Sequence, residues 1–312
     1  MNRSVTIVMY HYVRDLEHSR YPRIKGLSVD GFRNQLAHIE SRYTPISAED
    51  LLEAVVFPHR SLPENAVLLT FDDGYSDHHD NVLPLLEEKG MKACFFPMAK
   101  AILEHRVLDV NKIQFILAAV ENVWHLIDEV FEALDEFRGA YALKSREAYL
   151  MSITDKHRYD PREVTIFKRL LQRELPEAVR GELVNRLFMR HVTGDEAAFS
   201  AELYMSLDQL RVLHDAGMHV GSHGYSHAWL NHLPLEAQQT EIDLSLGFLR
   251  RAGIPLENWT MCYPYGGYDE SLLSVLRRRD CKLGFTVEAR VADLEREGRL
   301  TLPRIDTNDL PS

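Results

Sequence analysis

The 312-residue chain is 45% hydrophobic and 27% charged, with 36 basic against 47 acidic residues and a net charge of −11. That much apolar material builds a large core, which excludes disordered, collagen-like and coiled-coil readings. The acidic balance argues against nonspecific nucleic-acid binding, which needs many Lys and Arg facing phosphates, and the length suits about two average domains or one α/β barrel with insertions.

In chain order, Val5–Met9 (VTIVM) is a β-branched run and the first predicted strand. It is too short for the roughly 7–15 apolar residues of a secretory signal. No run approaches the roughly 18 apolar residues of a membrane span, so the sequence reads as cytoplasmic. Ala66–Phe71 is the second strand and ends at acidic residues; a helix follows through Leu83, Leu85 and Leu86, with Gly90 placed to cap it. Lys92–Phe96 is a strand. From about Ala101 to Ala201 no strand is recognisable, and Ile113, Ile116, Leu117, Val120, Val123 and Trp124 begin a three- and four-residue repeat that Phe167, Leu170 and Leu171 continue. That periodicity predicts a helical insertion over 101–201, packed on or beside a barrel formed by 1–100 and 202–312.

Ser206 and Gln209 make a capping-box signature. Met218–Ser222, Thr260–Tyr263 and Lys282–Val287 are further strands, separated by helices over Leu235–Ala252 and Glu270–Arg279. Strands alternating with helices predict parallel β/α architecture, with chemistry at the C-terminal strand ends. Cys94, Cys262 and Cys281 are too scattered for a disulfide framework or a zinc cluster, and Cys94 and Cys281 lie in apolar runs as core residues.

Three clusters fall at predicted strand ends. In Thr70–Tyr75 (TFDDGY), adjacent Asp72 and Asp73 would raise each other's pKa unless a cation removes the conflict; alone, the segment also reads as a capped strand-to-helix turn. In Gly221–His227 (GSHGYSH), His223 and His227 are four apart and able to converge on one ion. Among 15 histidines, such a pair also arises by chance. In Cys262–Tyr268 (CYPYGGY), a Pro/Gly turn after a strand could turn backbone N–H groups toward the same mouth.

Together and in this order, TFDDG, HGYSH in the manner of H-[ST]-x-x-H, and YPYG (Tyr263–Gly266) in place of R-x-P-Y resemble the polysaccharide deacetylase family. The family is also called NodB-homology or carbohydrate esterase family 4. The resemblance spans roughly two-thirds of the chain, outside the insertion. It implies an α/β fold, a distorted (β/α)7 barrel of NodB-homology type with a helical insertion. It implies a divalent metal on Asp73, His223 and His227, Asp72 as catalytic base, and the backbone N–H of Tyr265 at the oxyanion. Zinc is the default ion, with cobalt, nickel or iron suiting the same ligands.

Two departures stand out. Cys262 occupies the place of the arginine that steadies the base, and the C-terminal L-x-H histidine is missing. Arg304, at the end of the last predicted strand, is the candidate partner for Asp72. His11, in a Tyr10-His11 pair resembling the N-terminal YH of the circularly permuted branch, is the candidate general acid. The expected function is metal-dependent N-deacetylation of an N-acetylated amino sugar or saccharide, such as an O-antigen or capsule precursor. The alternative is a catalytically silent, metal-containing carbohydrate-binding protein. The expected partner is the saccharide, without nucleic acid or a transmembrane segment; the sequence leaves the oligomeric state undetermined.

Overall fold

The computed structural model describes residues 2–154 and 160–311, so residues 155–159 of the expected insertion lie outside the description. By internal contacts the chain divides into two compact units. The first comprises Met1–Asp15, Gly26–Arg106 and Ser200–Ser312, and the second Leu16–Lys25 and Val107–Phe199.

The first unit is an α/β barrel. Its seven staves are β1 (Ser4–Tyr10), β2 (Ala66–Asp73), β3 (Ala93–Pro97), β4 (His219–Val220), β5 (Thr260–Cys262), β6 (Leu283–Phe285) and β7 (Ile305–Asp306), with two-residue strands at Val13–Arg14, Leu27–Ser28, Thr44–Pro45 and Ala292–Asp293 beside them. β1, β2, β3 and β4 pair in parallel in that order, β5 pairs with β6, and β7 returns to β1. Single parallel bridges, Ser222 to Met261 and Phe285 to Leu302, join these runs. Seven parallel staves therefore close on themselves, and the shortness of β4 to β7 is the distortion. Val5, Ile7, Leu68, Cys94, Phe96 and Leu283 are buried in one shared cluster. Strands buried on both faces read as continuous apolar runs, which is why VTIVM and AVLLTF are legible.

Helices cover the strands: α1 (Val29–Arg42), α2 (Ala48–Val56), α3 (Leu83–Glu88), α4 (Ala99–Glu104), α5 (Leu207–Asp215), α6 (Leu235–Arg251) and α7 (Glu270–Arg278). The Ser206/Gln209 capping box at α5 forms both of its reciprocal bonds. Gly90, at φ +63, follows α3 and donates to the Glu87 carbonyl. The sequence reading assigned nothing to α1 and α2, although Ser47 and Asp50 close a second capping box at α2. A π-helical turn, His78–Val82, precedes α3.

The register puts the strand ends level. Tyr10 lies beside Phe71, and Asp72 and Asp73 lie beside Phe96 and Pro97. Thus His11, Asp72, Asp73, His223 and Tyr265 all follow or end staves on the C-terminal face, where barrel chemistry is carried. Arg304, expected at the end of the last strand, instead immediately precedes β7, whose two residues pair with Val8 and Met9.

The second unit is helical among its described residues, with Asp109–Ala119, Val123–Leu134, Arg146–Ser152, Arg162–Arg169 and Glu177–His191 as its helices. Phe199 meets Phe115 and Phe188 edge-on, at 4.9 and 5.3 Å between centroids, and buried Lys112 pairs with Glu196 at 2.8 Å. Tyr21, from the Leu16–Lys25 segment, packs on Phe115 at 5.1 Å. No helix among the described residues is long and apolar enough to cross a membrane.

Candidate active site

Every site residue expected from the sequence lies in the first unit. β2 continues to Asp73 and then reverses: Asp73 and Gly74 both take positive φ, 72 and 71°. A Cβ on Gly74 would come within 2.7 Å of Pro97 Cα, so only glycine fits there. Among the described residues six non-glycine positions have positive φ, and Asp73, His227 and Tyr265 are three of them. Each such position costs on the order of 1–3 kcal/mol, and such costs cluster where function demands a geometry that packing would not choose.

Asp73, His223 and His227 converge. Both imidazoles turn Nε2 toward Asp73 Oδ1, at 3.4 Å for His223 and 3.5 Å for His227. That oxygen is buried and has no hydrogen-bond partner. His223 Nδ1 lies 2.8 Å from the Cys262 carbonyl; a carbonyl only accepts, so Nδ1 carries a proton and Nε2 is the nitrogen left to meet an ion. Burial pushes the His227 imidazole down to about 4, leaving it neutral. Burial opposes charge on His223 too, but Cys262, Asp73 and Asp72 outweigh it and raise that imidazole well above its usual range. The pocket therefore attracts positive charge. Once an ion displaces the Nε2 proton of His223, two imidazole nitrogens and an orphaned carboxylate oxygen form a donor set that suits a divalent ion.

The loop carrying the histidines is clamped from α6. Glu241 accepts bonds from the backbone N–H of Tyr225 and Ser226, at 3.0 and 2.9 Å, and from the Ser226 hydroxyl at 2.6 Å. No sequence signal marked this glutamate.

Asp72 is 2% exposed, and Arg304 grips it with two parallel bonds, Nη1 to Oδ1 at 2.9 Å and Nη2 to Oδ2 at 2.7 Å. The guanidinium also donates to Thr70 Oγ1, to Cys262 Sγ and, through Nε, to the Thr286 carbonyl. A guanidinium has five N–H groups, and these five bonds use them all. Burial would raise the Asp72 carboxyl, but Arg304 overrides it and holds the group well below the usual carboxylate range. Cys262 Sγ is 3.3 Å from Asp72 Oδ2. Asp72, His223 and Cys262 could form a second donor set, but the adjoining Arg304 charge opposes a cation there.

His11 leaves the end of β1, and its backbone carbonyl lies 2.8 Å from Nε2 of buried His78 in the π-helical turn. Its side chain acts electrostatically on Asp72, Asp73 and His227. Tyr265 sits in a single 3-10 turn, Pro264–Gly266. Its ring contacts His227 edge-on at 4.5 Å and stacks on Trp229, 37% exposed, at 4.5 Å. Of the other aromatics beside the motifs, Tyr225 bonds to Glu104 at 2.6 Å, and Tyr268 reaches Glu288.

A family described as polysaccharide deacetylase matches residues 59–133 and 188–284. The chain is 32% identical over 102 residues to YxkH of Bacillus subtilis, covering 31% of this chain and 32% of that protein. It is 34% identical over 95 residues to poly-beta-1,6-N-acetyl-D-glucosamine N-deacetylase of Escherichia coli, covering 29% of this chain and 13% of that one. The chain thus matches less than two-thirds of the length of these relatives. Among solved structures, the Streptococcus pyogenes deacetylase PplD in complex with acetate aligns with TM-score 0.61 at 17% identity, over 100% of this chain and 95% of that one. The BpsB deacetylase domain of Bordetella bronchiseptica aligns with TM-score 0.57 at 15% identity, over 97% and 96%. At such identities the likeness is one of fold.

Proposed function

The chain belongs to the polysaccharide deacetylase family, and from that premise we propose that it is a metal-dependent hydrolase removing the N-acetyl group from an amino sugar within a saccharide. The observation that carries the reading is Asp73 Oδ1, buried without a hydrogen-bond partner and faced by two imidazole nitrogens. Asp73, His223 and His227 would hold the ion, with zinc as the default. Bound there, a divalent ion supplies polarisation of the amide carbonyl and water acidic enough for a weak base to deprotonate.

This chain's own residues supply the rest. Asp72, kept ionised by Arg304, takes the proton of the attacking water. A carboxylate has about four lone-pair positions; Arg304 and Cys262 occupy three, so one remains for that proton. As the C–O bond forms at the acetyl carbon, the backbone N–H of Tyr265 donates to the developing oxyanion. His11 then gives a proton to the amide nitrogen while the C–N bond breaks, leaving acetate and a free amine.

The Escherichia coli relative is named for poly-beta-1,6-N-acetyl-D-glucosamine, and an N-acetylglucosamine polymer or surface-polysaccharide precursor is the substrate class proposed here. A silent binding protein would draw support from the missing arginine and the missing C-terminal histidine. The Arg304 pairing with Asp72 supports the catalytic reading instead.

The test is acetate release from N-acetylglucosamine oligomers by zinc-loaded protein. Wild type is expected to release acetate, and His11→Ala to lower kcat by about 10²–10⁴-fold with zinc retained. Oligomers bound without any acetate release would favour the silent protein, and an unaltered kcat in His11→Ala would remove His11 as the acid.

A further inference from the structure

The two oxygens of Asp73 are not equivalent. Oδ1 faces the two imidazoles, while Oδ2 accepts a hydrogen bond from the Tyr75 hydroxyl at 2.5 Å. Residues two apart on a strand point the same way along separate lines. Here the paired positive φ values at Asp73 and Gly74 fold the chain back, so that the hydroxyl returns onto the carboxylate.

Tyr75 is wholly buried and held by its ring. Tyr12 stacks on it at 4.0 Å with 20° between planes, Tyr204 lies nearly parallel at 6.0 Å, and His78 meets it at 5.6 Å. Packing on the ring thus sets where the hydroxyl sits, and the hydroxyl sets the rotation of the carboxylate. A donor immobilised in this way orients a ligand before any ion arrives.

We propose that Tyr75 is a positioning residue that holds Asp73 as a one-oxygen ligand, and so sets both the affinity and the ion preference of the centre. The proposal rests on the metal reading above. With Oδ2 engaged, the protein offers the ion three donors and leaves its other positions open for water and substrate. Without the hydroxyl, the carboxylate is free to rotate and offer both oxygens. That suits ions content with many oxygen donors, such as manganese, more than zinc, which favours few donors and a tetrahedral arrangement.

The test titrates zinc and manganese into metal-stripped protein against a chromophoric chelator, with no substrate present. Wild type is expected to bind one zinc per chain. Tyr75→Phe, folded by circular dichroism, is expected to weaken zinc binding by about 10–100-fold and to narrow the preference for zinc over manganese. Tyr204→Phe, which removes a hydroxyl from the same stack, is expected to bind both ions as wild type does. Unchanged zinc affinity in Tyr75→Phe, or an equal loss for both ions, would overturn the proposal. Wild type that binds no ion would instead overturn the metal reading itself.

A fluorotyrosine label in place of Tyr75 keeps both ring and hydroxyl, and covers the case in which Tyr75→Phe fails to fold. Its fluorine resonance is expected to move when one equivalent of zinc is added, and a resonance that stays in place while zinc binds would contradict the proposal.

Discussion

Asp72→Asn is expected to lower the rate of acetate release by about 10²–10⁴-fold while the protein still takes up one ion. The side chain keeps its size, and its loss of charge removes the acceptor for water's proton. The ion should stay, because the convergence on Asp73 Oδ1 does not involve Asp72. Asp72 also belongs to the alternative donor set with His223 and Cys262, and the same variant separates the two arrangements. Loss of zinc from Asp72→Asn would make Asp72 a ligand, and full activity with zinc bound would remove it as the base. Turnover and zinc content measured on one preparation give both answers.

The second large effect concerns Arg304. It is 1% exposed, and all of its donors are engaged. Removing one partner of a buried ion pair leaves the other charge without compensation and typically costs about 3–5 kcal/mol. Arg304→Met is therefore expected to lower the melting temperature by on the order of 10 °C and to impair catalysis. Adding Asp72→Asn removes the stranded charge, so the double variant should recover most of the lost stability without recovering activity. The sign follows from the carboxyl. Its pKa is depressed in the folded protein, so its stabilisation is present above the ordinary carboxylate pKa and is lost as pH falls through the folded value. The gap between wild type and Arg304→Met should thus be full at neutral pH and shrink in strong acid. Equal melting temperatures for wild type and Arg304→Met at neutral pH would contradict this account.

Much of the fold was legible because its signals are local. VTIVM and AVLLTF are β-branched or apolar throughout, and the structure extends each by one or two residues to Ser4–Tyr10 and Ala66–Asp73. Ser206 and Gln209 announced α5 through chemistry that operates within one turn. Arg304 and Asp72 stand 232 residues apart, and their pairing could be suggested only because both were read at strand ends of one barrel.

What could not be read depends on backbone conformation or on contacts between distant elements. Gly74 marks a turn with positive φ, but nothing in FDDGY says that Asp73 takes positive φ as well and folds the Tyr75 hydroxyl back onto its carboxylate. Nothing in α6 singles out Glu241 as the clamp of the histidine loop. The Leu16–Lys25 segment, polar and short, carries no periodicity that would group it with the helices of the second unit. The α2 helix is a different case. Its Ser47/Asp50 box was present in the sequence and uses Asp where Glu or Gln is the usual signal.

The central claim, that Asp73, His223 and His227 hold an ion required for deacetylation, is tested most directly by one reversible series. Acetate release from N-acetylglucosamine oligomers is measured on the same protein as purified, after chelation, and after one equivalent of zinc is restored. The account predicts that release stops with chelation and returns with zinc in wild type, and that Asp73→Ala neither binds the ion nor responds. Acetate release that continues undiminished in fully chelated protein would contradict it.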